Sequence, residues 1–327
     1  MTPRPVTLLR RLLCAALAVQ CASVAAQAQY PSQTVQLVVP AAAGGSTDLF
    51  ARAFSARLAA RLGGSVVIVN KGGDSGTIGT GDVAKAGVDG HTLLMGTTGN
   101  LVINPLTMSG LSFDARRDLL PVAVLASVPF CVAVSPNFPA ASVPEMVATL
   151  KASPGKYFYA TNGPAGFIHL TTELFRREAG VTGFTQVPYK GGSSPHQDLI
   201  AGTVQVYFDA LNASLPLFRG GRLKILATTG ARRAPAAAEL PTVAESRLPG
   251  VVSETAFVLV APAGTPAPVV ERLSANSAAI MADPEFQRTL QASAIEAVQA
   301  SDPARARQFL EREYAKWAPI AREVAGR

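Results

Sequence analysis

The chain has 327 residues, 48% of them hydrophobic and 16% charged, with a formal charge of +7. That balance excludes global disorder and lets one large or two ordinary domains bury a core. The basic excess is not a nucleic-acid signature, because no Lys/Arg run or basic–aromatic patch stands out, and nucleic acid is not an expected partner.

The first 28 residues read as a secretory signal peptide. Arg4, Arg10 and Arg11 form a positive start, Leu12 to Val19 is an apolar stretch too short to span a bilayer, and Ala26-Gln27-Ala28 is a small-x-small cleavage site. Removing this segment takes three arginines and no acids, leaving 26 basic against 22 acidic residues, or +4. The expected location is therefore the periplasm. Cys14 and Cys21 leave with the signal, so the remaining Cys131 has no intrachain disulfide partner. It lies in the apolar run Val128 to Val134, as a buried structural thiol would.

Along the mature chain, strands are expected at Val35 to Val39, Val66 to Val69, Thr92 to Gly96, Tyr157 to Ala160, Phe184 to Tyr189, Val204 to Phe208, Leu223 to Ala227 and Phe257 to Val260. The apolar stretch Val122 to Val134 contains Pro129 and predicts a bend or a crossing between domains. Helices are expected over Asp48 to Leu62, with Phe50, Phe54, Leu58 and Leu62 on one stripe, and over Phe167 to Ala179 and Ser194 to Ala201. Ser142 and Glu145 form a capping box opening a helix to about Lys151. Three C-terminal helices begin at Pro266, Pro284 and Pro303, the last with a stripe of Leu310, Tyr314, Trp317 and Ile320. Alternation of this kind predicts an α/β fold with parallel sheets covered on both faces.

Four polar, Gly-rich turns fall where strands end and helices begin. They are Ala43-Gly44-Gly45-Ser46-Thr47-Asp48, Gly96-Thr97-Thr98-Gly99-Asn100, Thr161-Asn162-Gly163-Pro164-Ala165-Gly166 and Lys190-Gly191-Gly192-Ser193-Ser194. Ligands of open α/β sheets bind beyond the C-terminal strand ends, where helix N-termini offer free N–H groups to a carboxylate or phosphate. No turn has the Gly-Lys-Ser/Thr ending of a phosphate loop, and Gly76-Thr77-Ile78-Gly79-Thr80-Gly81 has the dinucleotide spacing reversed. The three histidines His91, His169 and His196 form no metal-binding pair, so neither metal nor cofactor is expected. His169 and Glu173 share a helix face. His91 reads as a strand-edge residue. Asp209, after an apolar strand, either touches a ligand or caps the next helix. A rival reading is an exported hydrolase using Ser193 or Ser194 with His196, but no Gly-x-Ser-x-Gly elbow surrounds them.

Taken together, Tyr30-Pro31, Val35 to Pro40 and Ala43 to Asp48 resemble the opening of the tripartite tricarboxylate transporter substrate-binding proteins, or Bug receptors. The resemblance continues through Asp89-Gly90-His91-Thr92-Leu93-Leu94, Asn104-Pro105, Val187-Pro188-Tyr189-Lys190-Gly191, Phe208-Asp209 and Ala261-Pro262-Ala263-Gly264-Thr265-Pro266, covering the mature chain in order. It implies a bilobed, type II periplasmic-binding-protein fold, two open-sheet domains with a ligand cleft between them, and a non-enzymatic receptor. Such a receptor delivers a small carboxylated ligand to membrane permease subunits, and a monomer is expected. The lobes are expected over 29–125 plus 245–327 and over 126–244. The ligand-binding residues implied in lobe one are Gly44, Gly45, Ser46, Thr47, Asp48, Thr97, Thr98 and Gly99. Those in lobe two are Asn162, Gly163, Ala165, Gly166, His169, Lys190, Gly191, Ser193 and Asp209. Ala41-Ala42-Ala43 stands where an aromatic is common in the family, and Pro164-Ala165 where serines are. The first change implies a roomier site, and the second, with Phe167 following, a ligand with a more apolar or aromatic tail. The same pocket would also serve a sensory receptor.

Overall fold

A computed structural model describes residues 30–161, 163, 165–189 and 194–325. The expected signal peptide, Asn162 and residues 190–193 (among them Lys190, Gly191 and Ser193) lie outside the described residues. In chain order the elements are β1 (Val35–Val39), α1 (Ser46–Leu62), β2 (Val66–Asn70), α2 (Thr77–Ala84), β3 (Thr92–Thr97), a π turn (Gly99–Ile103) running into α3 (Asn104–Thr107), β4 (Leu119–Val134), α4 (Val143–Ala152), β5 (Phe158–Thr161) and α5 (Phe167–Ala179). There follow β6 (Thr185–Pro188), α6 (Ser194–Ala201), β7 (Val206–Ala210), α7 (Leu211–Arg219), β8 (Lys224–Thr228), β9 (Glu254–Pro262), α8 (Ala267–Met281), α9 (Pro284–Ala292), β10 (Glu296–Ala297) and α10 (Pro303–Ala325). None of the described helices is long and apolar enough to cross a membrane.

The sheet order is β2-β1-β3-β9-β4-β7-β5-β6, with β8 and β10 also pairing to β4. Everything turns on β4, a 16-residue strand. Its first part, Leu119 to Pro129, pairs with β9, and its second part, Phe130 to Val134, pairs with β7. One strand thus belongs to two sheets, and each sheet is the floor of one lobe. The outer strand pairs β1–β2, β1–β3, β5–β6 and β5–β7 are parallel, as βαβ alternation dictates. The expectation of wholly parallel sheets fails at the centre. There β3–β9, β4–β9, β4–β7 and β4–β8 are antiparallel, because β4 carries the chain out to the second lobe and β9 brings it back.

Pro129 does not break β4. Proline is tolerated where no ladder N–H is needed. It stands opposite Glu254, the first residue of β9, and the register shifts fall earlier, between Pro121 and Ala123 and between Val124 and Ala126. The next residue closes a three-way junction: Phe130 N–H donates to the Ser253 carbonyl, Ser253 N–H to the Thr229 carbonyl, and Thr229 N–H to the Phe130 carbonyl, at 3.3, 2.9 and 2.8 Å.

The helical stripes fill the core as their spacing requires. Phe50, Phe54, Leu58 and Leu62 of α1 are buried, and Phe50 stacks on Phe257 of β9 with ring centroids 4.6 Å apart. Ser142 caps α4 by accepting the Glu145 N–H. The sequence reading missed α2, whose Gly76 and Gly79 look like turn residues. A Cβ on Gly76 would meet the Pro40 carbonyl at 2.7 Å, and one on Gly79 the Lys71 carbonyl at 2.6 Å. Close backbone approach therefore overrides the low helix propensity of glycine.

Helix α10 is a third tie between the lobes. Tyr314 donates to the Leu101 carbonyl of the π turn in lobe one at 2.8 Å. Trp317, wholly buried, meets Phe167 of lobe two edge-on at 5.0 Å, and Phe167 in turn meets Phe130 of β4 edge-on at 5.0 Å. Within lobe two, Glu173 of α5 accepts from Tyr159 of β5 and pairs with Arg176. Burial pushes the Glu173 carboxyl upward, but hydrogen bonds from His169 and Arg176 outweigh it and hold the group at about 2.

Truncating Trp317→Ala should cost about 3–5 kcal/mol, the range for a buried large aromatic, read as a lower urea midpoint. Because the folded-state pKa of Glu173 is depressed, its stabilisation is present above the ordinary value of 4.5 and is lost as pH falls toward about 2. Glu173→Gln should therefore flatten the fall in melting temperature across that window, and an unchanged profile would count against this ion pair.

Candidate functional site

The C-terminal ends of the parallel strands of both lobes face one another. From lobe one come the turns after β1, β2 and β3, and from lobe two those after β5 and β7. Contacts across the gap show how close they stand. The Ser46 hydroxyl, at the start of α1, bonds with both amide atoms of Asn212 in α7, at 3.0 Å to Oδ1 and 2.7 Å to Nδ2. A Cβ on Gly163 would lie 3.5 Å from Ser75 Oγ, and one on Gly99 would lie 3.9 Å from Phe167 Cβ.

Three helices that open on this gap carry no side-chain cap. Their N-cap residues are Gly45 for α1, Gly166 for α5 and Ala210 for α7. Away from the gap, α4 is capped by Ser142 and α9 by Asp283, while α8 starts after Pro266 with no side-chain cap. An uncapped helix start leaves backbone donors and the positive end of the helix dipole for another acceptor. Small residues at these starts also let a ligand approach the backbone.

The expected site residues fall into two groups. Gly44, Gly45, Ser46 and Thr47 form the mouth of the first turn, with Gly44 at φ 81°, a backbone shape that favours glycine. Thr97, Gly99, Gly163, Ala165 and Gly166 likewise line the facing turns. The others hold these turns from behind. Asp48, 1% exposed, accepts from Gly44 N–H at 2.8 Å, Arg52 Nε at 2.9 Å and Asn70 Nδ2 at 2.9 Å. Burial alone would raise the Asp48 carboxyl, but the bonds from Arg52, Gly44 and Asn70 hold it below the usual carboxylate range. Thr98 is fully buried, and its Oγ1 accepts the Ala256 N–H of β9 at 3.0 Å. His169 Nδ1 accepts the Ala165 N–H at 2.9 Å, so Nε2 carries the proton in this arrangement. That bond and Gln186, which donates to Thr161 Oγ1 and to the Gly163 carbonyl, fix the third turn.

Asp209 stands near the end of β7 and does not cap the next helix, which it anchors instead through the Ser214 side chain. Its Oδ2 accepts from Ser214 of α7 at 2.7 Å and lies 2.8 Å from His196 Nε2 of α6. His196 Nε2 is also 3.2 Å from Ser214 Oγ. A Ser–His–Asp relay needs the acid and the serine on different imidazole nitrogens. Here one nitrogen meets both, the serine is wholly buried, and its proton goes to the acid. The cluster binds β7, α6 and α7 together.

Two residues of the cleft, Asn212 and Ser75, were not read from the sequence, and a third, Asn100, was read only as part of the second turn. Asn212 opens a helix whose preceding turn, Asp209-Ala210-Leu211, has no glycine to mark it. Ser75 sits in the Gly-rich segment Gly72 to Gly76, and its carbonyl is held by Asn104 Nδ2 at 2.9 Å. Asn100 accepts the Thr97 N–H at 2.8 Å and so shapes the second turn. His91 is the strand-edge residue expected, accepting Ser32 N–H at 3.1 Å beside Tyr30.

The family model for the tripartite tricarboxylate transporter family receptor matches residues 50–325. BugT of Bordetella pertussis is 31% identical over 91% of this chain and 91% of its own. Rpa4515 of R. palustris, solved with adipate, is 37% identical with a TM-score of 0.86, over 91% of this chain and 98% of its own. MatC from Rhodopseudomonas palustris, solved with bound malate, is 28% identical with a TM-score of 0.82, over 89% of this chain and 100% of its own. With a two-lobed α/β fold and a cleft of open helix starts, this chain belongs to the tripartite tricarboxylate transporter receptor family, the Bug proteins.

Proposed function

We propose that this protein is an exported receptor that closes around a small carboxylated metabolite and hands it to the permease subunits of a tripartite tricarboxylate-type transporter. The observation that carries the reading is the convergence of uncapped helix starts α1, α5 and α7 on one gap, with the nearby acids Asp48 and Asp209 turned into their own lobes. Such a site offers N–H donors and positive helix ends to an anion and no competing surface carboxylate from those two residues.

Lobe one comprises 29–125 plus 245–327 and lobe two 126–244 in this reading. β4 and β9 are the crossings about which the lobes swing, and ligand favours the closed arrangement by bonding to both lobes at once. The protein acts as a monomer after removal of the signal at Ala28. Asn162, Lys190, Gly191 and Ser193, outside the described residues, keep in this reading the ligand-binding role that the family resemblance implies.

The ligand carries an apolar segment. Ala41, Ala42 and Ala43 flank the first turn, and Ala165 and Phe167 flank the third. A flexible dicarboxylate with a methylene chain satisfies both features, and the adipate in Rpa4515, a 37% identical neighbour, supports that class.

Three measurements test this. Protein collected from the periplasm should have the mass of residues 29–327. In a melting screen of refolded protein, adipate and its homologues should raise the melting temperature more than malate or pyridine carboxylates do. At a hundredfold excess over Kd the stabilisation is about 2.7 kcal/mol, and no shift with any carboxylate would overturn the reading. Thr47→Ala should weaken binding several-fold at unchanged stability. Thr98→Ala should instead cost about 1–3 kcal/mol of stability, because it strands the buried Ala256 N–H. Equal effects of the two substitutions on melting would contradict that division.

A further inference from the structure

The acid that follows the first glycine pair does not have the surroundings of a ligand contact. Both oxygens of Asp48 are occupied within lobe one. Oδ2 accepts from the Gly44 N–H and from Arg52 Nε, and Oδ1 accepts from Asn70 Nδ2. Arg52 Nη2 closes the ring by donating to Asn70 Oδ1 at 3.2 Å. Asn70 is the last residue of β2, and its Nδ2 also lies 3.4 Å from the Ala41 carbonyl at the start of the first turn. The hub therefore ties three pieces of backbone together: the turn at Ala41 to Gly44, the first turn of α1, and the end of β2.

The chemistry gives each member a reason. Gly44 sits in left-handed backbone at φ 81°, a shape with no regular partner for its N–H, and the Asp48 carboxylate supplies one. An unpaired carboxylate immediately behind an anion site would repel the ligand, and Arg52 neutralises it. Asn70 offers one donor and one acceptor, so it satisfies the acid and the arginine at once.

We infer that Asp48 is a positioning residue of the carboxylate site. It does not meet the ligand, but fixes the Gly44 amide and the open start of α1 in the shape that receives it. This rests on the carboxylate-receptor reading above and assigns a role within that site.

The geometry supplies its own test, because the carboxylate can be moved across the hub. In Asp48→Asn, an amide nitrogen must face either the Asn70 amide nitrogen or the Gly44 and Arg52 donors, so donors oppose donors either way. In the double variant D48N/N70D the pattern among positions 44, 48, 52 and 70 is restored, and only the long 3.4 Å contact to the Ala41 carbonyl is given up. The amide oxygen at position 48 accepts from Gly44 and Arg52, and the amide nitrogen there donates to the carboxylate at position 70. That carboxylate also accepts from Arg52. Adipate affinity by calorimetry should fall at least tenfold in D48N and return to within about threefold of the parent in D48N/N70D. Amide exchange at Gly44, followed by NMR without ligand, should quicken at least tenfold in D48N and slow again in the double variant. A residue that touched the ligand through its own carboxylate would not be rescued by a carboxylate at position 70. Unchanged affinity and Gly44 protection in D48N would overturn the inference, as would a double variant no better than the single. If the parent protein binds neither adipate nor malate, the ligand reading fails, while Gly44 exchange still decides the role of Asp48.

Discussion

The interaction on which the rest depends is the junction where β4 leaves one sheet and enters the other. Three backbone segments meet at Phe130, Thr229 and Ser253, and each N–H donates to the next carbonyl in a closed cycle. Buried side chains seal it: Thr229 Oγ1 bonds to the Phe130 and Ser253 carbonyls, and the Thr171 and Ser253 hydroxyls bond at 2.7 Å. A crossing between lobes normally exposes the polar backbone of a broken ladder, which is costly when water is excluded. Here the break is replaced by a satisfied cycle, so the chain can pass through the core twice. Aromatic contact from Phe130 to Phe167 to Trp317 then ties the junction to the first residue of a cleft helix and to α10.

From that junction the site follows. With β4 shared between the sheets and antiparallel to β9 in one and β7 in the other, the parallel strands of the two lobes are turned so that their C-terminal ends oppose each other. The helices that follow those strands therefore point their N-termini into one gap. Each lobe then solves the same problem: a turn on the cleft needs something to hold its backbone from behind. Lobe one uses Asp48 with Arg52 and Asn70; lobe two uses Asp209 with Ser214 and His196, and His169 with Ala165. These side chains lie at the site yet face away from it.

This explains what was legible in the sequence and what was not. Periodicity placed α5, α6 and α9 at Phe167–Ala179, Ser194–Ala201 and Pro284–Ala292, because their apolar spacing and flanking Gly or Pro agree with the packing they meet. Glycine and hydroxyl clusters marked the cleft turns for the same local reason. Roles within the turns were not legible, since Asp48 and Thr98 look like ligand donors or acceptors until their partners are known. Those partners, Asn70 and Ala256, lie 22 and 158 residues away. The antiparallel centre was hidden similarly. An apolar run such as Val122 to Val134 carries no mark of the direction of its neighbours, and only the return of β9 decides it. Asn212 escaped because its turn has no glycine, and its reach across the gap depends on how the lobes stand.

The third turn shows how far the local sequence can depart from the family pattern while keeping the geometry. Ala165 has φ 57°, where a residue with a Cβ costs of order 1–3 kcal/mol. Glycine would adopt that shape without strain, so something must hold alanine there. Two bonds do: His169 Nδ1 accepts its N–H, and Gln186 Nε2 donates to the carbonyl of Gly163, which is itself at φ 134°. A net bond contribution of about 1 kcal/mol each is comparable with the strain. The methyl group of Ala165 replaces a hydroxyl common in the family at a point where α5 opens on the cleft. On the receptor reading proposed above, Pro164 and Ala165 also offer a ligand no free N–H, the first lacking one and the second giving its own to His169, so the second lobe's preference shifts toward the apolar part of the ligand.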